Sequence, residues 1–378
     1  MIKPDYKGKG IINLMSSIRK VLGAKSKYKK LEGLDLKLEK NLVLFVIDGL
    51  GYEYLTKNCK NSFLLKNLKV KMTSVFPSST AAATTTLMTG LAPLEHGISG
   101  WRIFDRKIGG IIHPLPFEFW QKKVSLEKTK IEFPKIYAKD SFYKDIKFES
   151  ISIAQNELAR SSFSLESQRG AKMIEFGKLE ELFSQLKKQC QNKDKKFIYT
   201  YVGEFDYLFH RGGKKSEKMR KYLSKLDGKI KKLAKELKGT GTTLIITSDH
   251  GQLENKFINL SKDKKIADCL FMPLCGETRY AYCYIKKGKE KEFEKILSAK
   301  YKKYLDFFKS QDLIEKGMFG LFDEHANFSG RVGDYTIIMK ENYALDDFFT
   351  LAGREPFKSN HGGLHKDEIL VPLIIVDC

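Results

Sequence analysis

The stretch NLVLFVI (residues 41–47), followed directly by Asp48, decides the fold class of this chain. Its apolar, β-rich composition predicts a strand, and a side chain able to bind metal stands at the strand's end. Three other runs repeat the arrangement. KFIYTYVG leads into EFDYLFH, TLIITS leads into Asp249, and SNHGG precedes ILVPLIIV.

The potential metal ligands at these strand ends are Asp48, Asp206, His210, Asp249, His250 and His361. A single carboxylate at a strand end is usually a helix cap or a solvated turn residue. Four such ends together are instead typical of a two-metal hydrolytic site at the edge of one central sheet. Mixed Asp and His ligands suit zinc or manganese better than magnesium or calcium. We therefore expect two divalent metal ions.

Strand and helix signals alternate from about residue 41 to 251, which indicates an α/β sheet with helices on both faces. The segment 262–341 differs, because it contains a strand in RYAYCYIK, a helix predicted over residues 289–308 and a strand in DYTIIMK. We expect a catalytic core (35–261 and 342–378), an inserted α+β cap subdomain (262–341) and an N-terminal helical extension (1–34).

Composition narrows the class of protein. The chain has 378 residues and is 42% hydrophobic, enough for one large domain with an insertion or for two domains. No apolar stretch approaches the roughly 20 residues that a membrane helix needs. The first residues lack the apolar segment of a secretory signal. We expect a cytoplasmic protein with no membrane partner. The six cysteines are scattered, which favours reduced thiols.

The net charge of +22 raises the possibility of nucleic-acid binding. The basic residues are mostly lysines, and they alternate with acidic residues along helical segments, which is typical of a solvated face. No nucleic-acid-binding motif accompanies them. Nucleic acid therefore stays a possible partner without a motif to support it. No feature of the sequence indicates an oligomeric state.

The segment TSVFPSSTAAATTTLMTG (residues 73–90) is the place to look for a nucleophile. A Pro and a Ser/Thr cluster precede a small-residue helix, which puts Thr80 at or near the helix N-terminus. Unpaired backbone N–H groups and the helix dipole favour a phosphate and an ionised alkoxide there. The alternative is that Ser78, Ser79 and Thr80 only cap the helix.

In order and spacing these motifs resemble the nucleotide pyrophosphatase/phosphodiesterase family of the alkaline phosphatase superfamily. The resemblance begins at Asp48 and continues through FPSST with Thr80, TGLAPLEHGI and the D-x-x-x-H of Asp206 and His210. It ends with SDHG, which contains Asp249 and His250, and with His361-Gly, so it extends from about residue 41 to the C-terminus. It implies an alkaline-phosphatase-like fold with a mostly parallel central sheet, two zinc ions and Thr80 as nucleophile. It also divides the ligands between the metals: Asp48, Thr80, Asp249 and His250 around one, and Asp206, His210 and His361 around the other.

Two positions depart from the family pattern. Many members have an Asn three residues after the nucleophile and another soon after HGI, where this chain has Ala83 and Trp101. Trp101 is predicted to contact substrate through its indole N–H or its ring face, with core packing as the alternative. Arg279 is predicted to contact a substrate phosphate from the inserted segment, with structural pairing as the alternative.

The sequence thus predicts a phosphoric ester hydrolase that acts on phosphodiester or pyrophosphate bonds of a nucleotide-like small molecule. A phosphomonoesterase or a phosphomutase of the same superfamily is the alternative enzyme. A basic nucleic-acid-binding pseudoenzyme is the alternative from another class. It is disfavoured because a non-catalytic descendant has no reason to keep a complete open metal site.

Overall fold

The computed structural model describes residues 1–133, 141–350, 353 and 355–378, with the side chains of residues 349 and 350 excepted. All statements below concern these residues.

The strands fall into five sheets. In chain order they are β1 (Asn41–Ile47), β2 (Leu68–Thr73), β3 (Ile103–Asp105), β4 (Gly110–His113), β5 (Glu118–Phe119), β6 (Glu149–Gln155), β7 (Lys172–Phe176), β8 (Lys196–Val202), β9 (Thr242–Thr247), β10 (Leu253–Glu254), β11 (Lys256–Ile258), β12 (Cys275–Glu277), β13 (Tyr280–Cys283), β14 (Leu305–Lys309), β15 (Tyr335–Met339), β16 (Tyr343–Leu345), β17 (Ser359–Asn360) and β18 (Leu370–Asp377).

The α-helices are mostly short. In chain order they are α1 (Ile11–Val21), α2 (Tyr52–Asn58), α3 (Phe63–Lys66), α4 (Thr80–Thr89), α5 (Pro93–His96), α6 (Asn156–Ala159), α7 (Ser162–Ser167), α8 (Leu179–Gln191), α9 (Glu204–Gly212), α10 (Glu217–Glu236), α11 (Lys264–Cys269), α12 (Glu290–Ile296), α13 (Ser310–Glu315), α14 (Phe328–Arg331), α15 (Asp347–Thr350) and α16 (Lys366–Ile369). Two 3-10 turns cover Leu126–Lys128 and Phe142–Asp145, and a π-turn covers Leu297–Tyr301.

The central sheet has seven strands in the order β2-β18-β9-β1-β8-β6-β7. β1 is parallel to both of its neighbours, β8 and β9, while β18 is antiparallel to β9 and β2. A mostly parallel α/β sheet is therefore confirmed. In such sheets ligands bind beyond the carboxyl ends of the strands, which is where the chain leaves β1, β8 and β9.

Both faces of this sheet are covered. Alternate residues of β1 belong to two separate buried clusters, with Leu42 and Leu44 in one and Val43 and Phe45 in the other. The first cluster includes buried residues of α1 and α4, and the second includes those of α8 and α10. This two-sided burial explains why β1 reads as a continuous apolar run rather than as an alternating one.

The segment 262–341 contains a separate four-stranded antiparallel sheet, in the order β12-β13-β15-β14. Its own buried cluster includes Phe293 and Ile337. The boundaries of the core, the cap and the N-terminal extension stay a prediction, and α1 packs within the main core through Ile11 and Ile18. The helix predicted over residues 289–308 was wrong at its end. The α-helix ends at Ile296 and continues as the π-turn to Tyr301, and the aromatic run after Tyr304 forms β14 against β15.

Three smaller sheets are separate from the central sheet and from the sheet of the segment 262–341. β3, β4 and β5 form an antiparallel sheet directly after the HGI segment. β10 pairs with β17 and β11 pairs with β16, which join the segment after β9 to the segment before β18. Across the described part of the chain, none of the helices is long and apolar enough to cross a membrane.

Candidate active site

The site lies where three neighbouring strands of the central sheet end. Asp48 follows β1, and Asp249 and His250 follow β9 with a single residue between. β8 leads into α9, on which Asp206 and His210 are one turn apart. His361 follows the short strand β17, and its ring stacks on that of His250 with centroids 3.7 Å apart. The structure thus brings all six predicted Asp and His ligands together.

Thr80 is the first residue of α4, as predicted, and Ser79 is the N-cap residue. The Thr80 hydroxyl oxygen lies 3.0 Å from Nε2 of His250. The first N–H to bond back within this helix is that of Ala83, which donates to the Ser79 carbonyl. The backbone N–H groups before it have no acceptor in the helix and can bind an anion.

The imidazole rings are oriented by backbone carbonyls. Nδ1 of His250 lies 3.1 Å from the carbonyl oxygen of Gly251, and Nδ1 of His210 lies 2.6 Å from that of Ser359. A carbonyl oxygen can only accept, so each Nδ1 carries the proton. Nε2 of each neutral ring then presents a lone pair to the site, the tautomer that binds metal.

These lone pairs face carboxylate oxygens. Nε2 of His250 lies 3.2 Å from Oδ1 of Asp48 and 3.5 Å from Oδ2 of Asp249. Nε2 of His210 lies 3.3 Å from Oδ2 of Asp206. Acceptors that face each other at such distances repel unless a cation lies between them. Oδ1 of Asp48 and Oδ2 of Asp249 are also buried without a hydrogen-bond partner within the described ranges.

Two groups of side chains could hold a metal ion, with their ligand atoms within 4.8 Å of one another. One is Asp48, Asp249 and His250, and the other is Asp206, His250 and His361. His250 belongs to both groups, and His210 contacts the second through Asp206. Buried oxygens without partners fit a divalent cation at the first group, and the oriented imidazole of His250 fits one at either group.

Burial and neighbouring charges shift the pKa values of the side chains at this site. Burial, together with the negative charges of Asp206 and Asp249, raises the pKa of Asp48 well above its ordinary value. Burial also acts to raise the pKa of Asp206, but the neighbouring His210 and His361 hold this pKa below its ordinary value. Burial, together with the neighbouring His250, lowers the pKa of His361 well below its usual range. Concentrated negative charge of this kind is stabilised by bound cations.

Side chains around the ligands hold them in place. Tyr201 donates to Oδ2 of Asp48, and Gln252 donates to Oδ1 of Asp206. Gln252 in turn accepts at 2.7 Å from the hydroxyl of Ser359. Such supporting contacts fix the direction of each ligand. Tyr201 lies inside the strand β8, where nothing in the sequence separates it from an ordinary core residue.

Glu277 is a site residue that the sequence did not indicate. It ends β12 of the segment 262–341 and accepts from the Ser79 hydroxyl and, at 3.1 Å, from the backbone N–H of Trp101. Its Oε2 lies 3.5 Å from Nδ1 of His361. Burial raises the pKa of Glu277. Glu277 lies in CGET at no characteristic distance from the other site residues in the sequence, so only the folded structure shows that it belongs to the site.

Trp101 and Arg279, the two predicted substrate contacts, occupy different environments. Trp101 is 37% exposed, and its ring lines a cavity together with Thr80. Arg279 is fully buried and pairs with the carboxylate of Glu368, with Nε–Oε1 at 3.0 Å and Nη2–Oε2 at 2.8 Å. It also donates to the carbonyls of Glu341 and Tyr343. This buried ion pair corrects the predicted phosphate contact, because the guanidinium has its acceptors already.

The cavity over the site has a volume of about 1370 Å3. Besides Thr80, Asp48 and the ligands on α9, it is lined by Trp101, Trp120 and other residues of the β3–β5 region. This volume exceeds the roughly 300–1,000 Å3 of most small-molecule sites. The site therefore has room for a substrate much larger than a phosphate.

One family of known proteins matches most of this chain. A model of the type I phosphodiesterase/nucleotide pyrophosphatase family matches residues 42–363 of this chain. The chain belongs to this family. It is a hydrolase of the phosphodiesterase and pyrophosphatase type within the alkaline phosphatase superfamily, and metal dependence is a property of that superfamily. No curated protein sequence matches the chain significantly.

Several solved structures have the same fold as this chain. Murine ectonucleotide pyrophosphatase/phosphodiesterase 5, in an inactive form with AMP, superposes with a TM-score of 0.65 at 19% identity, covering 89% of this chain and 87% of the other. The human protein of the same name gives the same values. Phosphonoacetate hydrolase from Sinorhizobium meliloti 1021, in complex with phosphonoformate, superposes with a TM-score of 0.64 at 17% identity, and the alignment covers 89% of each chain.

Proposed function

We propose that this chain hydrolyses phosphodiester or pyrophosphate bonds of nucleotide-like molecules, with Thr80 as nucleophile and two divalent metal ions, zinc or manganese. The observation that carries the proposal is the position of the Thr80 hydroxyl. It lies at the first residue of α4 and 3.0 Å from Nε2 of His250, an imidazole that belongs to both groups of potential metal ligands.

The nucleophile is set up by its surroundings. With Nδ1–H of His250 donated to Gly251, Nε2 directs its lone pair to the group of ligands beside the Thr80 hydroxyl. An ion held by Nε2 would lie next to the Thr80 oxygen and would favour loss of its proton. The free N–H groups and the dipole at the start of α4 stabilise the alkoxide and the phosphoryl oxygens next to it. A helix cap alone would not need an imidazole at hydrogen-bond distance, so the contact favours the catalytic role.

The covalent chemistry follows from this position. The Thr80 oxygen forms a bond to phosphorus while the bond from phosphorus to the leaving oxygen breaks. Water then cleaves the phosphothreonine, which releases the phosphorylated product and restores the hydroxyl.

The metal ligands would be Asp48, Asp249 and His250 for one ion, and Asp206, His210 and His361 for the other, with Thr80 beside the first. Two divalent ions held there would polarise the phosphoryl oxygens and neutralise charge on the nucleophile and the leaving group. Gln252 and Tyr201 orient the aspartates that receive them. Among these ligands His250 is the one that lies within reach of both groups.

Two features support a nucleotide-like substrate. The cavity is large, and the half-exposed ring of Trp101 on its wall can stack on a planar base. The AMP complex of murine ectonucleotide pyrophosphatase/phosphodiesterase 5 was obtained with an inactive form that carries a threonine-to-alanine substitution. That variant supports a threonine-dependent reaction in a protein of the same fold.

The test compares bis(p-nitrophenyl) phosphate with p-nitrophenyl phosphate for the wild type, Thr80→Ala and Thr80→Ser, each loaded with zinc or manganese. We expect the diester to be the better substrate, Thr80→Ala to lose at least about 1,000-fold in kcat and Thr80→Ser to retain measurable turnover. Metal content measured on the same samples should be about equal for all three proteins. Unchanged diester turnover by Thr80→Ala would remove the nucleophile from the proposal, and faster monoester turnover would favour a phosphomonoesterase.

A further inference from the structure

Arg102 is a buried cation that the proposed chemistry does not use. Only 7% of its surface is exposed, and it lines the same cavity as Thr80 and Trp101. Its guanidinium carbon lies over two aromatic rings, 4.3 Å from the Trp120 centroid and 4.5 Å from the Phe348 centroid. These rings contact the guanidinium through cation–π interactions and leave its N–H edge available for binding.

That edge has donors without acceptors. Nε and Nη1 of Arg102 are buried and have no hydrogen-bond partner in the described part of the chain. Other buried arginines of this protein are paired, Arg279 with Glu368 and Arg331 with Asp105. Burial lowers the pKa of Arg102 to about 10, so it still carries its charge at neutral pH. A buried charge without a protein partner is costly, which suggests that its partner is a ligand.

His113 lies on the wall of the same cavity and is also 7% exposed. Its Nδ1 is 3.0 Å from Oε1 of Glu118, and an ionised carboxylate only accepts, so Nδ1 carries the proton. Nε2, which is buried without a partner among the described residues, is then an acceptor for a hydroxyl or amino group. The ring of Trp101 lies beside it, with centroids 5.7 Å apart.

We propose that Arg102 and His113 form a second subsite that binds an anionic group, phosphate or carboxylate, on the part of the substrate other than the scissile phosphoryl group. His113 accepts from a neighbouring hydroxyl or amino group of the same part. The substrates are then phosphoesters or phosphoanhydrides that carry a second anion. This inference rests on the proposed function, because Thr80 defines where the scissile phosphoryl group lies.

The experiment measures kcat/KM for three substrates with the metal-loaded enzyme. Bis(p-nitrophenyl) phosphate has no second anion, diadenosine pyrophosphate has a second phosphate, and p-nitrophenyl carboxyphenyl phosphate has a carboxylate. Arg102→Met keeps an unbranched stem and removes the charge, while Arg102→Lys keeps a charge. Arg169→Met is the control, since Arg169 pairs with Glu166 on the surface and does not line the cavity.

We expect Arg102→Met to lose about 10- to 100-fold in kcat/KM on one or both two-anion substrates, mainly through KM, and to leave the simple diester unchanged. Arg102→Lys should recover part of the loss, and Arg169→Met should match the wild type throughout. Loss on diadenosine pyrophosphate alone identifies a phosphate subsite, and loss on the carboxyphenyl ester alone identifies a carboxylate subsite.

Equal effects of Arg102→Met on all three substrates, or none on any, would overturn the subsite. If Arg102→Met does not fold, His113→Phe provides the second test. It should impair diadenosine pyrophosphate, which carries hydroxyl and amino groups, and spare bis(p-nitrophenyl) phosphate. An unselective result there also refutes the subsite. Failure of the proposed function is separate, because it would appear as simple-diester hydrolysis that survives Thr80→Ala.

Discussion

Replacement of Arg279 by methionine should destabilise the protein rather than weaken substrate binding. Arg279 and Glu368 are fully buried, with both carboxylate oxygens held at hydrogen-bond distance by the guanidinium. Removing one partner of such a buried pair typically costs about 3–5 kcal/mol, because the other charge is left buried without compensation. For a chain of 378 residues with about 2.1 cal/mol/K of unfolding entropy per residue, a loss of about 4 kcal/mol lowers Tm by about 5 K.

The assay is thermal and urea unfolding of four proteins: wild type, Arg279→Met, Glu368→Gln and the double variant. Glutamine removes the charge of Glu368 but can still accept from the N–H of Gly363, which lies 2.9 Å from Oε1. We therefore expect the double variant to be more stable than the sum of the single losses predicts. Arg160→Met is the matched control, because Arg160 makes the same two-pronged pair with Glu175 on the surface and its loss should leave Tm unchanged.

The reasoning fails if Arg279→Met unfolds at the wild-type temperature while KM for the diester rises. That result would mean that Arg279 reaches the substrate, as the sequence alone predicted.

Three further predictions concern metal, backbone and pH. Chelation should lower Tm. Zinc or manganese added back at about 100 times its Kd should raise the free energy of unfolding by about 2.7 kcal/mol and Tm by about 3 K. An unchanged Tm would contradict metal binding. Gly49→Ala should reduce metal content, because Gly49 has a φ of 74° and an added Cβ would lie 2.8 Å from Oδ1 of Asp206. Gly23→Ala, at φ 82° with nothing within 4 Å, carries the same strain and should bind metal normally. Nζ of Lys196 lies 2.8 Å from Oε2 of Glu149 and lowers the pKa of this carboxyl group below its ordinary 4.5. The pair therefore stabilises the folded protein above pH 4.5, and this stabilisation is lost as the pH falls further. The difference in urea midpoint between wild type and Glu149→Gln should therefore shrink below pH 4.5; a constant difference would show that the pair is not ionised as described.

Much of the fold could be predicted because its signals are local. β1 and β9 are apolar runs that are each followed within two residues by an aspartate, and Thr80 follows Pro-Ser-Ser at the start of a helix. Parallel strands place their carboxyl ends at one edge, so the ligands had to meet there. The strand β14 was missed because its sequence continues a lysine-rich helical pattern. Only pairing with β15, about 30 residues later, decides its conformation.

The site was predictable where a residue's chemistry alone indicates its role, and not where the role depends on a distant partner. Arg279 was assigned to substrate because its partner Glu368 is 89 positions away and carries no signal of its own. Glu277 and Arg102 were missed for the same reason. Each is an ordinary charged residue in the sequence, and its significance comes from burial beside groups that other segments contribute.

The contacts of Glu277 have a consequence for engineering and for evolutionary exchange of the segment 262–341. Because β12 delivers this carboxylate to the residue before Thr80 and to His361, the segment is not a replaceable cover. A chimera that imports another relative's segment must also import a carboxylate at this register, or the Ser79 hydroxyl beside Thr80 and the ring of His361 will lose a contact that holds them in place.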